Sequence, residues 1–262
     1  MRAIDGYASL FPVMPTPGNH ESHQNYSQYM TRFSGVAQYA GANSGSGSNV
    51  YYSFDQGLVH FIMFSTEVYW SMPGAVEAQL NWMKQDLIKA NNNRQNVPFI
   101  IAAAHKGALM DTTYCNTTTC YSNGTWFDDL LQDYGVDLFF FGHLHQYVRF
   151  LSAYPTRGLS DTECVSTDYH YYKDCKYTTG FIVGSPGNQE VQPSSCGGPT
   201  PNDNAYPVAA CSQNYGYAYL QVHNRTHLTV TWNTSVPIAG SPDPFFSDYV
   251  TFEINNPGPR KF

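Results

Sequence analysis

The sequence predicts an α/β protein with a layered core in residues 1–150 and a loop-rich remainder in residues 151–262. Segments with strand and helix periodicity alternate through the first part, as they do in proteins that cover a sheet with helices. Three short segments that contain histidine or asparagine follow apolar runs in this part, and the run before the first, Leu10–Met14, is the weakest. We interpret these runs as strands, because open α/β sheets place their sites at strand ends. Beyond residue 150 the composition shifts toward Ser, Thr, Pro, Gly, Asn and Cys, which is typical of loops around a few strands.

A hairpin and a helix are predicted before residue 95. Residues 50–66 have the pattern of two strands that turn at Asp55–Gly57, and His60 in the second strand is interpreted as a satisfied core or face histidine. Apolar residues recur at three- and four-residue intervals over 76–87, which predicts an amphipathic helix that ends in the run Asn91–Asn93.

Two further strands lead to the histidines of the first part. A strand at about 97–104 precedes His105, and a strand at 136–141 precedes the next histidine motif. The helix between them covers about 126–134 and ends at Gly135, a residue type that favours the left-handed conformation of a helix cap.

The second part is predicted to contain few strands. The segment 155–215 is expected to be mostly loop around one strand near 179–185. After it we expect a hairpin formed by 216–223 and 226–232, and one more strand at 249–254.

Composition and charge exclude two classes of partner. The 262 residues carry a formal net charge of −7, only 13% of them are charged, and no cluster of Lys and Arg occurs, so a nucleic-acid partner is not expected. No apolar run approaches the length of a membrane span, and we therefore predict no membrane partner. The sequence leaves the oligomeric state open.

The cysteines and the glycosylation motifs indicate a secreted or otherwise extracytoplasmic protein. The simplest of the possible pairings joins neighbouring cysteines, as Cys115–Cys120, Cys164–Cys175 and Cys196–Cys211. N-glycans are expected at the five Asn-x-Ser/Thr sites, which are Asn25, Asn116, Asn123, Asn224 and Asn233. Because residues 1–6 show no secretory signal, we expect the true N-terminus to lie upstream and the chain to be a fragment.

Four side chains from three segments are candidate metal ligands, namely Asn19, His105, His143 and His145. An amide oxygen and imidazole nitrogens suit zinc, iron or manganese, and a tight turn after Gly142 would let His143 and His145 reach two adjacent metals. Two metals about 3.5–4 Å apart can hold a hydroxide and stabilise an in-line displacement at phosphorus. The pattern therefore predicts a phosphoester hydrolase.

Polar neighbours of these ligands suggest further roles. His20 is placed to hydrogen-bond a phosphoryl oxygen or to protonate the leaving alcohol, and Glu21 to orient His20. Lys106 is interpreted as a solvated surface lysine rather than a phosphate contact. Taken singly, the turn at Asn19 and the histidine at 105 also have plain structural interpretations, and the conjunction of the three segments in this order favours a metal site.

The same residues resemble the purple acid phosphatases of the metallophosphoesterase superfamily. The likeness covers nearly the whole chain and rests on Gly18-Asn19-His20-Glu21, Ala104-His105, Gly142-His143-Leu144-His145 and the segments 51–55, 64–70 and 146–149. It implies a four-layer αββα sandwich that is incomplete at its N-terminus and carries a small C-terminal β segment. On this basis residues 1–150 would be a partial catalytic core.

The resemblance also implies an activity and its cofactors. Such enzymes are acid phosphatases that hydrolyse phosphate monoesters with a ferric ion and a divalent metal, which is Zn, Fe or Mn. By match to the family motifs, Asn19, His105 and His143 would bind the divalent metal and His145 the ferric ion. His20 would bind substrate and protonate the leaving group.

Two aspartate motifs of that family have no counterpart in the 17 residues before Gly18, since Asp5 has the wrong spacing. One ferric-site aspartate, the bridging aspartate and the metal-bound tyrosinate are missing with them. We therefore expect one weakly held metal or none in this chain, and little turnover. Two alternatives stay open: an inactive secreted glycoprotein with a binding or structural role, and a sister metallophosphodiesterase.

Overall fold

The computed structural model describes residues 6, 8–68, 75–108, 127–185, 187, 207–236 and 245–255. Several residues singled out in the sequence lie outside this part, and they are Asp5, Trp70, Cys115, Asn116, Cys120, Asn123, Trp126 and Cys196.

The described elements alternate as an α/β fold requires. The strands, in chain order, are β1 (Tyr52–Gln56), β2 (Val59–Met63), β3 (Phe99–Ala103), β4 (Leu138–Phe141), β5 (Tyr147–Tyr154), β6 (Leu159–Asp161), β7 (Tyr171–Lys173), β8 (Thr179–Val183), β9 (Val208–Ser212), β10 (Tyr215–Val222), β11 (His227–Val236) and β12 (Ser247–Glu253). The helices are α1 (Ser27–Arg32), α2 (Val76–Asn92) and α3 (residues 127–133), with shorter helical segments at Asn19–Ser22, Ser34–Val36, Ala37–Gly41, Ala42–Ser44 and Pro155–Arg157.

The first sheet has a parallel centre, and this centre carries the candidate site. Its order is β1-β2-β3-β4-β8-β5-β6, with β9 paired to β5, and β2, β3, β4 and β8 run parallel. The segments Phe99–Ala102 and Leu138–Phe139 are buried on both sides of the sheet, which is the usual state of parallel strands between two covering layers. Their apolar sequence is therefore a consequence of their position.

A second sheet covers one face of the first. Its order is β10-β11-β12-β7, and it is antiparallel except for the pairing of β12 with β7. Trp232, Val250 and Phe252 of this sheet pack against Phe99, Leu138 and Phe181 of the first sheet in one apolar cluster. Helices α2 and α3 pack on the opposite face. The described part thus shows the layers helix, sheet and sheet, in agreement with the α/β sandwich that the sequence predicts.

A buried ion pair joins the two sheets. The guanidinium of Arg149 on β5 donates to both carboxylate oxygens of Asp248 on β12, at 2.7 and 2.8 Å. The Tyr147 hydroxyl donates to the same carboxylate at 2.6 Å. Because both charged side chains are almost fully buried, each needs the other to offset its loss of hydration.

A second buried arginine fixes the N-terminal ends of the parallel strands β3 and β4. Arg94 follows α2 and donates to the carbonyls of Pro98 and Gly135 and to the carboxylate of Asp137. The same Asp137 carboxylate accepts the Ile100 N–H at 2.8 Å. One side chain thus links the end of α2 to the starts of β3 and β4.

His60 is a partnered face histidine, as predicted. Its Nδ1 lies 2.6 Å from the Asp55 carboxylate on β1, and its Nε2 lies 3.0 Å from the Asp86 carboxylate on α2. Asp86 also accepts the Ser53 hydroxyl at 2.8 Å. Burial lowers the pKa of His60, but the hydrogen bonds and charges of Asp86 and Asp55 outweigh it, so the pKa is raised above its ordinary value.

Several predicted elements and one disulfide are confirmed. The hairpin turns at Gly57, the helix of 76–87 is α2, and Gly135 ends α3 with a φ of +65°. Cys164 and Cys175 form the predicted disulfide. Cys211 is also disulfide-bonded, while the pairings Cys115–Cys120 and Cys196–Cys211 stay predictions. Among the described residues, no helix is both long and apolar enough to cross a membrane.

Two predictions about strands are wrong. The apolar run Leu10–Met14 is not a strand, because Pro12, Pro15 and Pro17 lack the N–H that a sheet ladder needs. The segment 155–215 holds more than one strand, since β6, β7 and β9 form beside β8. The domain division at residue 150 stays a prediction, although that residue lies inside β5.

The arginine between the sheets gives a prediction for stability. Arg149→Met leaves Asp248 buried without its cation, so we expect the free energy of unfolding to fall by about 3–5 kcal/mol. Arg157→Met is the matched control, because Arg157 pairs with Asp129 at the surface and such pairs contribute less than about 1 kcal/mol. Urea denaturation of both variants measures the difference, and equal losses would contradict the proposed importance of burial.

His60 gives a prediction for pH dependence. Because its folded-state pKa is raised, its contribution is complete below the unfolded value of about 6.5 and is lost as pH rises through the folded-state pKa. We expect His60→Gln to cost about 1–3 kcal/mol at pH 5 and less at pH 9. Denaturation at both pH values checks this, with the exposed His223→Gln as control. A cost that is the same at both pH values would show that the folded-state contribution of His60 does not depend on a charged imidazole.

Candidate metal centre

Two neighbouring parallel strands carry His105 and His143 to the same edge of the first sheet. His105 comes two residues after β3 ends, and His143 comes two residues after β4 ends. Backbone pairing continues past both strands, since Ala104 N–H donates to the Phe140 carbonyl at 3.1 Å and Gly142 N–H donates to the His105 carbonyl at 2.9 Å. The two loops therefore leave the sheet side by side.

The third segment reaches His105 through a tight turn. Gly18 N–H donates to the Glu21 carboxylate at 2.8 Å, which closes the helical turn Asn19–Ser22. A Cβ at position 18 would lie 2.8 Å from His105 Nδ1, so only glycine allows this approach. The Asn19 side-chain oxygen then lies 2.7 Å from His105 Nε2. Glu21 thus fixes the turn, and its predicted role in orienting His20 stays a prediction.

The turn after Gly142 brings the third predicted ligand to the same place. His143 has a φ of +66°, a left-handed conformation that non-glycine residues seldom adopt outside turns and functional sites. Its ring centroid lies 5.1 Å from that of His105, with the ring planes 73° apart. A Cβ at Gly184, just after β8, would lie 1.9 Å from the Leu144 carbonyl oxygen. The backbone at Gly184 therefore packs directly against the loop that carries His143. The sequence did not indicate this contact.

Burial and positive charge keep the His105 imidazole neutral. Burial is the largest cause, and the charges of His143, Lys106, His20 and His145 add to it, so the pKa of His105 falls to about 3. A neutral imidazole is the form that binds metals. The same interactions show that His20 and His145 lie close enough to His105 to act on its charge.

The predicted site residues differ in how closely they approach His105. Asn19 and His143 each lie against the His105 ring, whereas His20 and His145 lie near enough for their charges to lower the pKa of His105. In the part of the chain that the structure describes, no three His, Cys, Asp or Glu side chains are arranged to hold a metal ion. The donor types, an amide oxygen and neutral imidazole, fit one transition metal and do not by themselves supply a second site.

Two buried polar residues beside this site were not singled out as site residues. Thr66 and Glu67 follow β2 and contact Lys106, the neighbour of His105. Lys106 is itself buried and paired with Glu67, so the prediction of a solvated surface lysine is wrong. A Thr-Glu pair directly after a buried strand was the available signal, and the sequence alone did not say what it contacts.

Comparison with known proteins identifies the family of this chain. The sequence profile of the calcineurin-like phosphoesterases matches residues 2–147, and the profile described as iron/zinc purple acid phosphatase-like protein C matches residues 177–239. Acid phosphatase type 7 of Mus musculus is 32% identical over 242 residues, which cover 88% of this chain and 51% of that protein. Purple acid phosphatase 15 of Arabidopsis thaliana is 26% identical over 266 residues, which cover 88% of this chain and 45% of that protein.

A solved structure supports the fold. Purple acid phosphatase PPD1 from yellow lupin (Lupinus luteus) seeds has a TM-score of 0.56 at 21% identity and covers 79% of this chain and 33% of that chain. The chain spans about half the length of the curated relatives it matches. Since a family profile covers more than half of its residues, the chain belongs to the calcineurin-like phosphoesterase family, within which it resembles the purple acid phosphatases.

Proposed function

We propose that this chain carries the divalent-metal half of an acid phosphatase site for phosphate monoesters. The observation that carries the proposal is the contact of Asn19 with His105 at 2.7 Å, made between residues 86 positions apart. His143 lies beside this pair, and His145 follows it in the same loop. The names of the relatives support the phosphatase activity that we propose.

Asn19, His105 and His143 would hold the divalent metal, and His145 would serve a ferric ion. When bound, such a metal supplies Lewis-acid polarisation of a phosphoryl oxygen. The three proposed ligands are two imidazoles and one amide, none of which is an anion, and burial keeps the His105 ring neutral. They therefore add no negative charge that would repel a phosphate ester.

His20 is the proposed proton donor to the leaving group. It is exposed and directly follows Asn19, so its ring can reach a substrate that approaches from solvent. In acid an imidazolium gives its proton to the departing alkoxide oxygen as a water oxygen bonds to phosphorus and the ester P–O bond breaks, so the products are the uncharged alcohol and inorganic phosphate. The His20 ring is then neutral and takes up a proton again from solvent.

Two other functions remain as alternatives to this proposal. An inactive secreted glycoprotein would keep the fold without metal or turnover. A metallophosphodiesterase would use the same ligands on diesters, and comparison of an aryl phosphate monoester with the matching diester separates it from a phosphatase. The phosphatase is favoured because residues 177–239 match the profile described as iron/zinc purple acid phosphatase-like, and the first relatives are named acid phosphatases.

An extracytoplasmic location is part of the proposal. The disulfide Cys164–Cys175 is the kind of bond that oxidising compartments sustain. The expected glycosylation sites Asn25 and Asn224 are exposed, and Asn233 is partly exposed on β11. These surfaces leave room for the glycans that the sequence predicts.

The ligand assignment predicts which variants lose metal. We expect Asn19→Ala and His143→Ala to weaken Zn²⁺ binding by at least about tenfold, since even residues that only support a ligand contribute 10–100-fold. His145→Ala should stay within about twofold of the parent chain, because its ligand role belongs to the other metal. Isothermal titration measures the affinities, and the exposed His23→Ala serves as control.

Opposite results would refute this assignment. Equal losses in His143→Ala and His145→Ala would show one shared site. Two tightly held metals per chain, found by elemental analysis together with rapid turnover, would overturn the proposal of a half site. No metal at all in the parent chain would favour the inactive glycoprotein.

The role of His20 predicts a loss of rate without a loss of metal. We expect His20→Ala to lower the slow turnover that the parent chain retains for an alkyl phosphate at pH 5 by about 10²–10⁴-fold, while Zn²⁺ affinity is retained. His23→Ala is the matched control in the same exposed loop and should keep its kcat. A smaller loss for p-nitrophenyl phosphate than for an alkyl phosphate would support the protonation step, because the nitrophenolate needs less help to leave. Unchanged kcat for both substrates would exclude it.

A further inference from the structure

Three polar residues shortly after β2 are buried next to the candidate metal centre. Ser65 is 1% exposed, Thr66 is 6% exposed and Glu67 is 2% exposed. Burying polar groups, and a carboxylate above all, costs free energy unless each group has a partner. Their partners therefore indicate what this segment is for.

The segment is anchored on one side to α2. Ser65 N–H donates to the side-chain oxygen of Gln79 at 3.0 Å, and the Gln79 amide donates back to the Ser65 carbonyl at 2.9 Å. Gln79 has no exposed surface. The two bonds fix the start of the segment against a helix of 17 residues.

On the other side the segment holds the loop that carries His105. The Thr66 hydroxyl oxygen accepts the backbone N–H of Lys106 at 3.0 Å, and the same hydroxyl lies 3.4 Å from the Glu67 carboxylate, to which it donates. The Lys106 ammonium lies 3.5 Å from the same Glu67 oxygen. The residue next to His105 is thus held at both its backbone and its side chain.

The positive charge of Lys106 affects metal binding because the side chain is buried and adjoins His105 in the chain. Its side chain is 10% exposed, so solvent screens it poorly. A cation one residue from His105 opposes the binding of a divalent metal ion there. The Glu67 carboxylate, whose side chain is 3% exposed, supplies the compensating charge at the same depth.

We infer that Glu67 is a positioning residue of the candidate metal centre, which offsets the charge of Lys106 and holds the His105 loop in place through Thr66. This inference rests on the proposed function, since it assigns Glu67 to the metal site proposed there. Glu67 contacts neither metal nor substrate in this role. It acts through its neighbours.

A charge-matched pair of variants tests the inference. Glu67→Gln removes the carboxylate that pairs with Lys106, and we expect the Zn²⁺ affinity to fall by about tenfold or more. Adding Lys106→Met to Glu67→Gln removes the remaining charge, and the affinity should return to within about threefold of the parent chain. Glu77→Gln, an exposed glutamate of α2, is the control and should change nothing.

The double variant separates charge compensation from simple structural support. If Glu67 only stabilised the fold, the second substitution would add to the damage and the affinity would not recover. Urea denaturation of each variant, run in parallel, shows whether affinity follows stability. The absorption spectrum of bound Co²⁺ gives a second readout, and a spectrum in Glu67→Gln identical to the parent's, at unchanged affinity, would overturn the inference.

Hydrogen exchange keeps the inference testable if the parent chain binds no metal. That result would end the proposed function, but the amide of Lys106 can still be followed. Faster exchange of this amide in Glu67→Gln and in Thr66→Val than in Glu77→Gln would support the positioning role. Unchanged exchange in Glu67→Gln would overturn it.

Discussion

The site depends on backbone pairing that continues beyond the ends of two parallel strands. The bonds from Ala104 N–H to Phe140 and from Gly142 N–H to His105 keep the two loops in register after β3 and β4 have ended. Without them each loop would be free to leave the sheet at its own angle, and the two imidazole rings would not meet at 5.1 Å. The positions of the proposed ligands His105 and His143 are therefore fixed by main-chain hydrogen bonds before any side chain contributes.

The buried arginines serve this arrangement from further away. Arg94 fixes where β3 and β4 begin, and because both strands are short, fixing their starts also fixes where they release their loops. Arg149 holds the second sheet against the first through Asp248. Buried ion pairs of this kind add little net stability over apolar residues, but removal of one partner is costly, so they select one packing of the layers over others.

The fold class and the residues of the site follow from the sequence where local pattern decides. The apolar runs before His105 and His143, the helical spacing that produced α2, and the cap at Gly135 each act within a few residues, and each is confirmed. The contact of Asn19 with His105 joins positions 86 apart, and no local pattern specifies it. The motif order suggested it, through the resemblance, and the fold was needed to place it.

The failures have equally local causes. The apolar residues of Leu10–Met14 predicted a strand before Gly18. Proline within and after this run lacks the backbone N–H that pairs strands in a sheet, and no strand forms there. Strands β6 and β7 have only three residues each, too few for a periodicity to show, and they form because neighbouring strands offer them an edge. Glu67 was missed because a carboxylate after a strand is usually solvated, and only the packing of Lys106 against it shows that this one is buried.

The left-handed backbone at His143 has an evolutionary consequence. An L-residue pays about 1–2 kcal/mol for this conformation, and glycine or asparagine would adopt it with less strain. Selection for folding alone would therefore remove this histidine sooner than residues whose backbone is relaxed. In relatives that lack the proposed metal site, position 143 is where drift toward Gly or Asn should be seen first.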